Sequence, residues 1–362
     1  MRTSANQLFA AACALSLAAC EKQRQPCFTP ASVIEDLRVL AVRVDPPEPV
    51  VDLDAGDVPA INVSALLVAG SLDRNGRGSA SETNDAAVVA RFCVPPLDPD
   101  RPQTPPGCPA DSIVAGQSPL APTLAAPLVL RPSVDLLRRS IDADPLRGLG
   151  GIKLRMQLDF TRGARLVSTT KTLLFHQAGQ PGSVNHAVEL AGVEVDYGIS
   201  GQVQRYSSNE TIPLVVTQVV NLRPLLGTGL GAAGPIEDYD ALNPDGSLSR
   251  LREHVSYRFY AANTLVFQRP DYSHVFNAPI VTFTGTAGGD EADEPDDPTA
   301  VPHGLVSAFD AWQGNQAGDL WIVARDGRGA EAWLRVGYSA IEERQNCMIP
   351  GGGCPLLYFG CQ

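Results

Sequence analysis

The sequence predicts an all-β protein, built as two tandem β-sandwich modules that follow a short export leader. Short segments alternate apolar and polar residues, as strands with one buried face do. Thirty-three glycines and 30 prolines separate these segments with turns. The order of the strand-like segments recurs in the second half, and a chain of 362 residues suits about two domains better than one core.

The first half opens with three strand-like segments. Residues 37–44, 61–68 and 86–94 are rich in β-branched and other apolar residues, and Pro46-Pro47 ends the first of them. Residues 152–160 show the clearest alternation, because every even-numbered residue there is apolar. These even-numbered residues are expected to face a core.

A hairpin and a short helix complete the first half. The strand at 152–160 is followed by the turn sequence Thr161-Arg162-Gly163-Ala164, and apolar alternation returns at 166–175. This pattern predicts a β-hairpin. Residues 133–141 follow Pro132 and carry an apolar stripe at helical spacing, which predicts one or two turns of helix.

The second half repeats this order of segments. Residues 188–196 resemble the first strand, and 17 positions separate Val195 from Ile212, as they separate Val44 from Ile61. Near the end, residues 320–325 and 331–338 flank an Asp-Gly turn, which is a strong hairpin signal. The predicted organisation is a signal peptide at 1–19, a lipidated tether at 20–29, modules at 30–178 and 186–345, an acidic loop insertion at 285–303, and a Cys-rich tail at 346–362.

Modules of this length with several short strands are typical of immunoglobulin-like sandwiches. The antibody pattern of two inter-sheet cysteines around a tryptophan is missing, because Trp312, Trp321 and Trp333 all lie in the second copy. The prediction is therefore two tandem immunoglobulin-like β-sandwich domains by architecture, without membership of the antibody family.

The amino-terminal leader indicates export. Residues 8–19 form a run of 12 small and apolar residues after a basic start, too short to span a bilayer but suited to a signal peptide. Leu17-Ala18-Ala19-Cys20 resembles the lipobox of bacterial lipoproteins. That resemblance implies cleavage before Cys20, acylation (palmitate) of Cys20, and sorting to the outer membrane, because Glu21 replaces the Asp that retains such proteins at the inner membrane. The expected location is the lipid-anchored cell envelope, facing the periplasm or the surface.

A second resemblance concerns the body of the chain. Residues 30–41 and the Asp326-Gly327-Arg328-Gly329 turn resemble those of a group of uncharacterised bacterial outer-membrane lipoproteins with such sandwich domains. The resemblance implies tandem sandwiches on a lipid anchor. It implies no catalytic residues.

Apart from Cys13 in the leader and Cys20, six cysteines remain, and they predict disulfides in an exported chain. Cys93 and Cys108 bracket a proline-rich segment that is predicted to be a loop. A disulfide that closes a loop of about 15 residues would stabilise the folded protein by about 3 kcal/mol. If the others are all oxidised within one chain, Cys27 pairs with one of Cys347, Cys354 or Cys361, and the two modules lie side by side. A metal site in the tail is the less favoured alternative, because no CxxC pair or nearby His supports it.

Charge and motifs exclude several functions. A net charge of −12 argues against a nucleic-acid partner. The sequence has no Gly-x-Ser-x-Gly, Walker or His-Glu-x-x-His motif, and its histidines at 176, 186, 254, 274 and 303 lack ligand spacing, so no cofactor or metal is expected. The acidic run 290–297 is interpreted as a solvated loop, with calcium binding as the alternative.

Two function classes remain open. The preferred hypothesis is a non-enzymatic, lipid-anchored cell-envelope protein with a binding or scaffolding role, whose partners are the membrane and other envelope proteins or glycans. The alternative is an envelope-anchored hydrolase or carbohydrate-directed accessory enzyme, with a carboxylate site drawn from acids such as Glu237, Asp238 and Asp240.

Overall fold

The structure, a computed structural model, describes thirteen parts of the chain. These are residues 34–72, 78–95, 107–109, 112, 114–118, 127–197, 203–215, 219–227, 237–253, 255–262, 265–267, 304–308 and 316–341. The leader, Cys20, Cys27, the acidic run 290–297 and the three tail cysteines lie outside these parts, so the predictions made for them stay predictions.

The first module contains nine strands and one helix within the described residues. They are β1 (Arg38–Asp45), β2 (Val50–Val51), β3 (Ile61–Leu72), β4 (Gly78–Glu82), β5 (Ala87–Cys93), β6 (Val114–Ser118), β7 (Leu128–Leu130), α1 (Val134–Ala143), β8 (Ile152–Arg162) and β9 (Arg165–Gln177). One sheet contains β1, β3 and β4, with β7 also paired to β3, and the other has the order β2-β9-β8-β5-β6.

Alternation along the strands builds the core between these two sheets. In β3 the buried residues Ile61, Val63, Ala65 and Leu67 face the second sheet. In β8 the even-numbered residues from 152 to 160 are all at most 2% exposed and meet them, as predicted. The two sheets therefore form a sandwich around one apolar core.

The second module repeats this architecture with eleven strands. They are β10 (Leu190–Asp196), β11 (Val203–Tyr206), β12 (Thr211–Val215), β13 (Val219–Leu226), β14 (Asp238–Leu242), β15 (Leu248–Arg252), β16 (Ser256–Ala261), β17 (Leu265–Phe267), β18 (Gly304–Ala308), β19 (Gln316–Arg325) and β20 (Glu331–Ile341). The sheet orders are β11-β10-β13-β18-β17 and β12-β20-β19-β16, and β14 and β15 form a separate hairpin. Residues of both sheets share a second apolar core, so the predicted all-β fold class is confirmed.

The two modules use the same strand exchange between sheets. In the first, β2 leaves the β1 sheet and pairs in parallel with β9, the last strand of the module. In the second, β12 pairs in parallel with β20, again the last strand. The other strand pairs of these sheets are antiparallel. An immunoglobulin-like sandwich can contain such a strand, which crosses from one sheet to the edge of the other.

This pairing corrects one equivalence proposed from spacing. The equal separation of 17 positions suggested that the strand at Ile212 corresponds to the strand at Ile61. Ile61 lies in β3, which pairs with β1. Ile212 lies in β12, which crosses to the other sheet and so corresponds to β2, while β13 pairs with β10 as β3 does with β1. Spacing measures the length of chain between strands but not the sheet that each strand joins.

Local predictions in the first module agree with the structure. The hairpin turns at Gly163, which has φ of +58°, between the paired residues Arg162 and Arg165. The helix α1 begins after Ser133, whose hydroxyl accepts a hydrogen bond from the Leu136 N–H at 3.2 Å. It runs for 10 residues, longer than the predicted one or two turns. Cys93 and Cys108 form the predicted disulfide, with Cα atoms 5.6 Å apart.

The modules contact each other through sheet faces that are buried on both sides. Leu40, Leu66 and Val68 lie on the faces of β1 and β3 opposite the first core, and they pack against Trp321 and Val323 on β19. Ile34, Ala41 and Tyr260 complete this apolar interface, and the Ile34 N–H donates to the Ala261 carbonyl at 2.9 Å. The modules therefore lie side by side over this interface.

No helix in the described parts is long and apolar enough to cross a membrane.

Candidate functional site

Polar contacts from the second module reach the free edge of β1 next to the apolar interface. The Val42 N–H donates to Glu331 Oε2 at 2.8 Å, and the Leu40 carbonyl accepts from Arg325 Nη2 at 2.9 Å. Lys171 Nζ, on β9, lies 3.0 Å from Glu331 Oε1. Burial lowers the pKa of Lys171, and the Glu331 charge opposes that shift. Side chains of β19 and β20 thus satisfy backbone groups that an exposed sheet edge would leave open.

Arg328 forms a second, more deeply buried charged contact between the modules. Its side chain is 12% exposed, and its guanidinium contacts Glu48 of the first module at 3.0 Å and Glu253 of the second at 3.1 Å. Glu237 lies 3.8 Å away, and the Ser183 carbonyl, in the segment between the modules, accepts from Nη2 at 2.7 Å. One side chain therefore links three parts of the chain.

The turn that carries Arg328 is fixed by Asp326. One carboxylate oxygen of Asp326 accepts from the N–H groups of Arg328, Gly329 and Ala330 at 2.8 to 2.9 Å. The other accepts from the Asn185 side-chain amide at 2.7 Å. The Asn185 backbone N–H also donates to Glu48 at 2.7 Å. We call Glu48, Asn185, Glu237, Glu253, Asp326 and Arg328 the Arg328 cluster.

Burial changes the acidity of two members of this cluster. Burial raises the pKa of Glu253 to about 7, and the negative charges of Asp326 and Glu237 act in the same direction, against the attraction of Arg328. Burial also raises the pKa of Asp326, although its hydrogen bonds from Asn185 and the turn N–H groups oppose the shift. The cluster thus has four carboxyl groups with little exposure to solvent, and three of them contact its one guanidinium.

A cleft of about 420 Å³ lies beside the cluster, and both modules line it. Lys153, Thr172 and His176 of β8 and β9 line one side, and Tyr239, Asp240 and Arg328 of the second module line the other. The guanidinium of Arg328 stacks on the Tyr239 ring, 4.2 Å from its centroid. This volume falls in the range of about 300–1,000 Å³ that is usual for small-ligand sites.

The charged groups of the cleft differ in whether the protein already satisfies them. Glu48 contacts Arg328 and, at 3.5 Å, His176 Nδ1, while Asp240 contacts Arg250 at 3.2 Å. Among the described residues, the Lys153 ammonium has no ion-pair partner and the Gln180 Oε1 is buried without a hydrogen-bond donor. The Lys153 ammonium is therefore open to a ligand in the cleft, whereas protein atoms cover the Gln180 Oε1.

The acids proposed for a carboxylate site do not converge. Asp238 and Asp240 lie opposite Arg252 and Arg250 in the β14–β15 ladder and form cross-strand ion pairs with them. Glu237 lies outside that ladder and contacts Arg328 and His186. Cross-strand partners therefore neutralise Asp238 and Asp240 separately, and a carboxylate site drawn from these acids stays an untested alternative.

No group of three metal-ligating side chains occurs among the residues that the structure describes. His176 is half-buried beside Glu48, and His186 is exposed beside Glu237. Histidines 254, 274 and 303 lie outside the described residues.

The Arg328 cluster was missed at the level of sequence because each member lies in or beside a loop. Asp326 and Arg328 were interpreted only as polar turn residues. The inter-module face did leave a signal, because residues 39–42, 65–68 and 320–324 are uninterrupted apolar runs inside strands that otherwise alternate. Such runs indicate a strand buried on both faces.

No protein-family model matches the sequence, and no curated protein matches it. Several solved structures are weakly similar, two of which are a titin chimera and a collagen adhesin. A chimeric titin Z1Z2-Z1Z2 tandem carrying a GRGDS peptide from fibronectin has 9% identity and a TM-score of 0.22, over 84% of this chain and 98% of that chain. Collagen adhesin from S. aureus has 9% identity and a TM-score of 0.15, over 86% and 96%. At these scores the likeness carries no functional argument, and the fold assignment depends on the strands described above.

Proposed function

We propose that this chain is a non-enzymatic, lipid-anchored protein of the bacterial outer membrane, and that it binds another envelope component in the cleft between its modules. The lipobox-like Leu17-Ala18-Ala19-Cys20 supports the anchor. The cleft is the observation that carries the binding role, because it combines a suitable volume with the unpaired Lys153 ammonium.

The open groups of the cleft define the chemistry of its ligand. Lys153 offers a positive charge that no acid of the described residues pairs with. Leu174 and Leu242 add apolar surface to the same cleft. A ligand that fits presents an acidic or strongly accepting group to Lys153. Envelope glycans and extended peptides both carry such groups.

The acid chemistry of the site favours binding over hydrolysis. General acid catalysis on a glycosidic bond needs a carboxyl group that keeps its proton near neutral pH and touches the substrate. Glu253 has the raised pKa, but it is 8% exposed and does not line the cleft. The carboxylates that do line it, Glu48 and Asp240, are each ion-paired.

Capture from solubilised outer membranes tests the binding role. We expect the wild-type chain to retain an envelope component that the Lys153→Glu variant releases, because the reversed charge meets the ligand in the cleft. Arg162→Glu is the matched control, since it reverses a charge at the opposite end of the same strand. Equal capture by all three proteins, identified by mass spectrometry, would place any binding outside the cleft.

Replacing Cys20 with alanine tests the anchor separately. The resemblance to the lipobox implies that this variant loses its acyl chains, and two or more chains are needed for stable anchoring. We expect it in the soluble envelope fraction or as an unprocessed precursor, while the wild type fractionates with outer membranes. Mass spectrometry that found an unmodified Cys20 inside the native wild-type chain would contradict the anchor.

A further inference from the structure

The Arg328 cluster and the cleft share part of their structure. Glu48 and Arg328 belong to the cluster and also line the cleft, together with Gly327 and Gly329 of the same turn. The contact between Arg328 and Glu48 therefore holds the turn of the second module against the first. Any change that weakens this contact changes one wall of the cleft.

The cluster contains more negative than positive charge. Glu48, Glu237 and Glu253 contact the single guanidinium of Arg328, and Asp326 lies in the same turn and accepts from the Arg328 backbone N–H. Other titratable and charged groups face these four acids from neighbouring elements. His176 contacts Glu48, and His186 contacts Glu237. The ion-paired residues Lys171, Glu331 and Arg325 lie beyond Asp326. With neutral histidines, the buried carboxylates repel one another unless one of them holds a proton.

We propose that the Arg328 cluster is a proton-operated latch on the cleft. A proton on Glu253 keeps the turn at 326–329 in place against Glu48 and Ser183, and loss of that proton loosens this wall. The protonated carboxyl group still accepts a hydrogen bond from Arg328 through its carbonyl oxygen, and it no longer repels Asp326 and Glu237. The latch regulates the cleft, so its role in binding depends on the proposed function, but the latch itself requires no ligand.

The sign of the effect follows from proton linkage. The pKa of Glu253 in the closed cluster is about 7, above its ordinary value of 4.5, so the closed arrangement binds the proton more tightly than an open, hydrated one does. The closed arrangement is therefore most favoured below the ordinary value and loses stability as the pH rises through about 7. Between pH 4.5 and about 7, loss of this one proton lowers the ratio of closed to open forms by at most about tenfold for each pH unit.

Hydrogen–deuterium exchange on the full-length protein in detergent, without ligand, tests the latch. The backbone N–H groups of Arg328, Gly329 and Ala330 donate to Asp326 and report directly on the turn. After correction for intrinsic exchange, we expect their protection to fall several-fold between pH 6 and 8. The Glu253→Gln variant mimics the protonated form, so its protection should be independent of pH and at least as high as that of the wild type at pH 6.

A second variant keeps the test decisive if Glu253→Gln does not fold. Glu237→Gln removes one of the negative charges that raise the pKa of Glu253, and its side chain is 19% exposed, so it is better tolerated. It should move the midpoint of the protection change to lower pH, while amides of the distant β8–β9 turn show no change in either variant. Constant protection at 328–330 from pH 5.5 to 8.5, or an unmoved midpoint in Glu237→Gln, would overturn the latch. The exchange experiment does not depend on the capture experiment. The latch and the proposed binding role can therefore be contradicted independently of each other.

Discussion

Replacing Arg328 with alanine should lower the free energy of unfolding by about 3–5 kcal/mol, because breaking a buried ion pair leaves uncompensated charge in the interior. The guanidinium is the shared partner of Glu48 and Glu253, which are 3% and 8% exposed. It also donates to the Ser183 carbonyl. Urea denaturation followed by circular dichroism measures the loss. We expect a larger loss of unfolding free energy at pH 8 than at pH 6, because protonation at the lower pH removes charge from carboxyl groups that have lost their arginine partner.

Two further substitutions separate this effect from the loss of any arginine. Arg250→Ala removes an ion pair with Asp240, but its side chain is 62% exposed, so the expected cost is within about 1 kcal/mol. Arg328→Lys keeps the charge but loses the planar fork that contacts several acceptors at once, so its cost should lie between the two. If Arg328→Ala cost no more than Arg250→Ala, the Arg328 cluster would be hydrated and of little structural importance.

Replacing Trp321 with alanine should cost about 3–5 kcal/mol, the usual penalty for removing a buried aromatic side chain. Trp321 is 0% exposed in the apolar interface between the modules, and its indole N–H donates to Glu82 of the first module at 3.1 Å. The cavity left by this substitution lies between the modules and not inside either core. We therefore expect one denaturation transition for the wild type and two for this variant, one for each module.

Matched variants at the same interface identify which part of the tryptophan matters. Trp321→Phe keeps most of the apolar volume and loses only the hydrogen bond to Glu82, so it should cost about 1–2 kcal/mol. Trp333→Ala removes a half-buried side chain at the rim of the interface and should cost about 1 kcal/mol. A cost for Trp321→Ala no greater than that for Trp333→Ala would mean that the modules do not depend on this contact.

Local features of the fold were predictable from the sequence. The alternation at 152–160 identified both the strand β8 and its buried face, because the side-chain period of a strand is two whatever it packs against. The loop between Cys93 and Cys108 is short enough for its closure to be judged from its own residues, and the pair is bonded. In these cases the residues that decide the structure are close together in the chain.

Two features could not be predicted from local sequence patterns: which strand of the first module corresponds to the strand at Ile212, and which residues pair with the acids of β14. Equal spacing did not reveal that β12 leaves its sheet, because the hydrogen-bond partner of β12 is β20, far along the chain. Asp238 and Asp240 looked like candidates for one site until the β14–β15 register placed an arginine opposite each. Both outcomes depend on pairing between strands, which neither propensity nor alternation specifies.

The sequence by itself determined the class of fold, the positions of most strands, the helix start at Ser133 and the Cys93–Cys108 pair. These follow from periodicity, turn chemistry and short loops, which act over a few residues. Only the tertiary structure decided that β1 and β3 of the first module cover β19 of the second, and that Arg328 meets Glu48, 280 residues away. An isolated charged residue in a turn is normally solvated. It becomes part of a buried cluster only when packing of the two modules removes the water around it and brings opposite charges within reach.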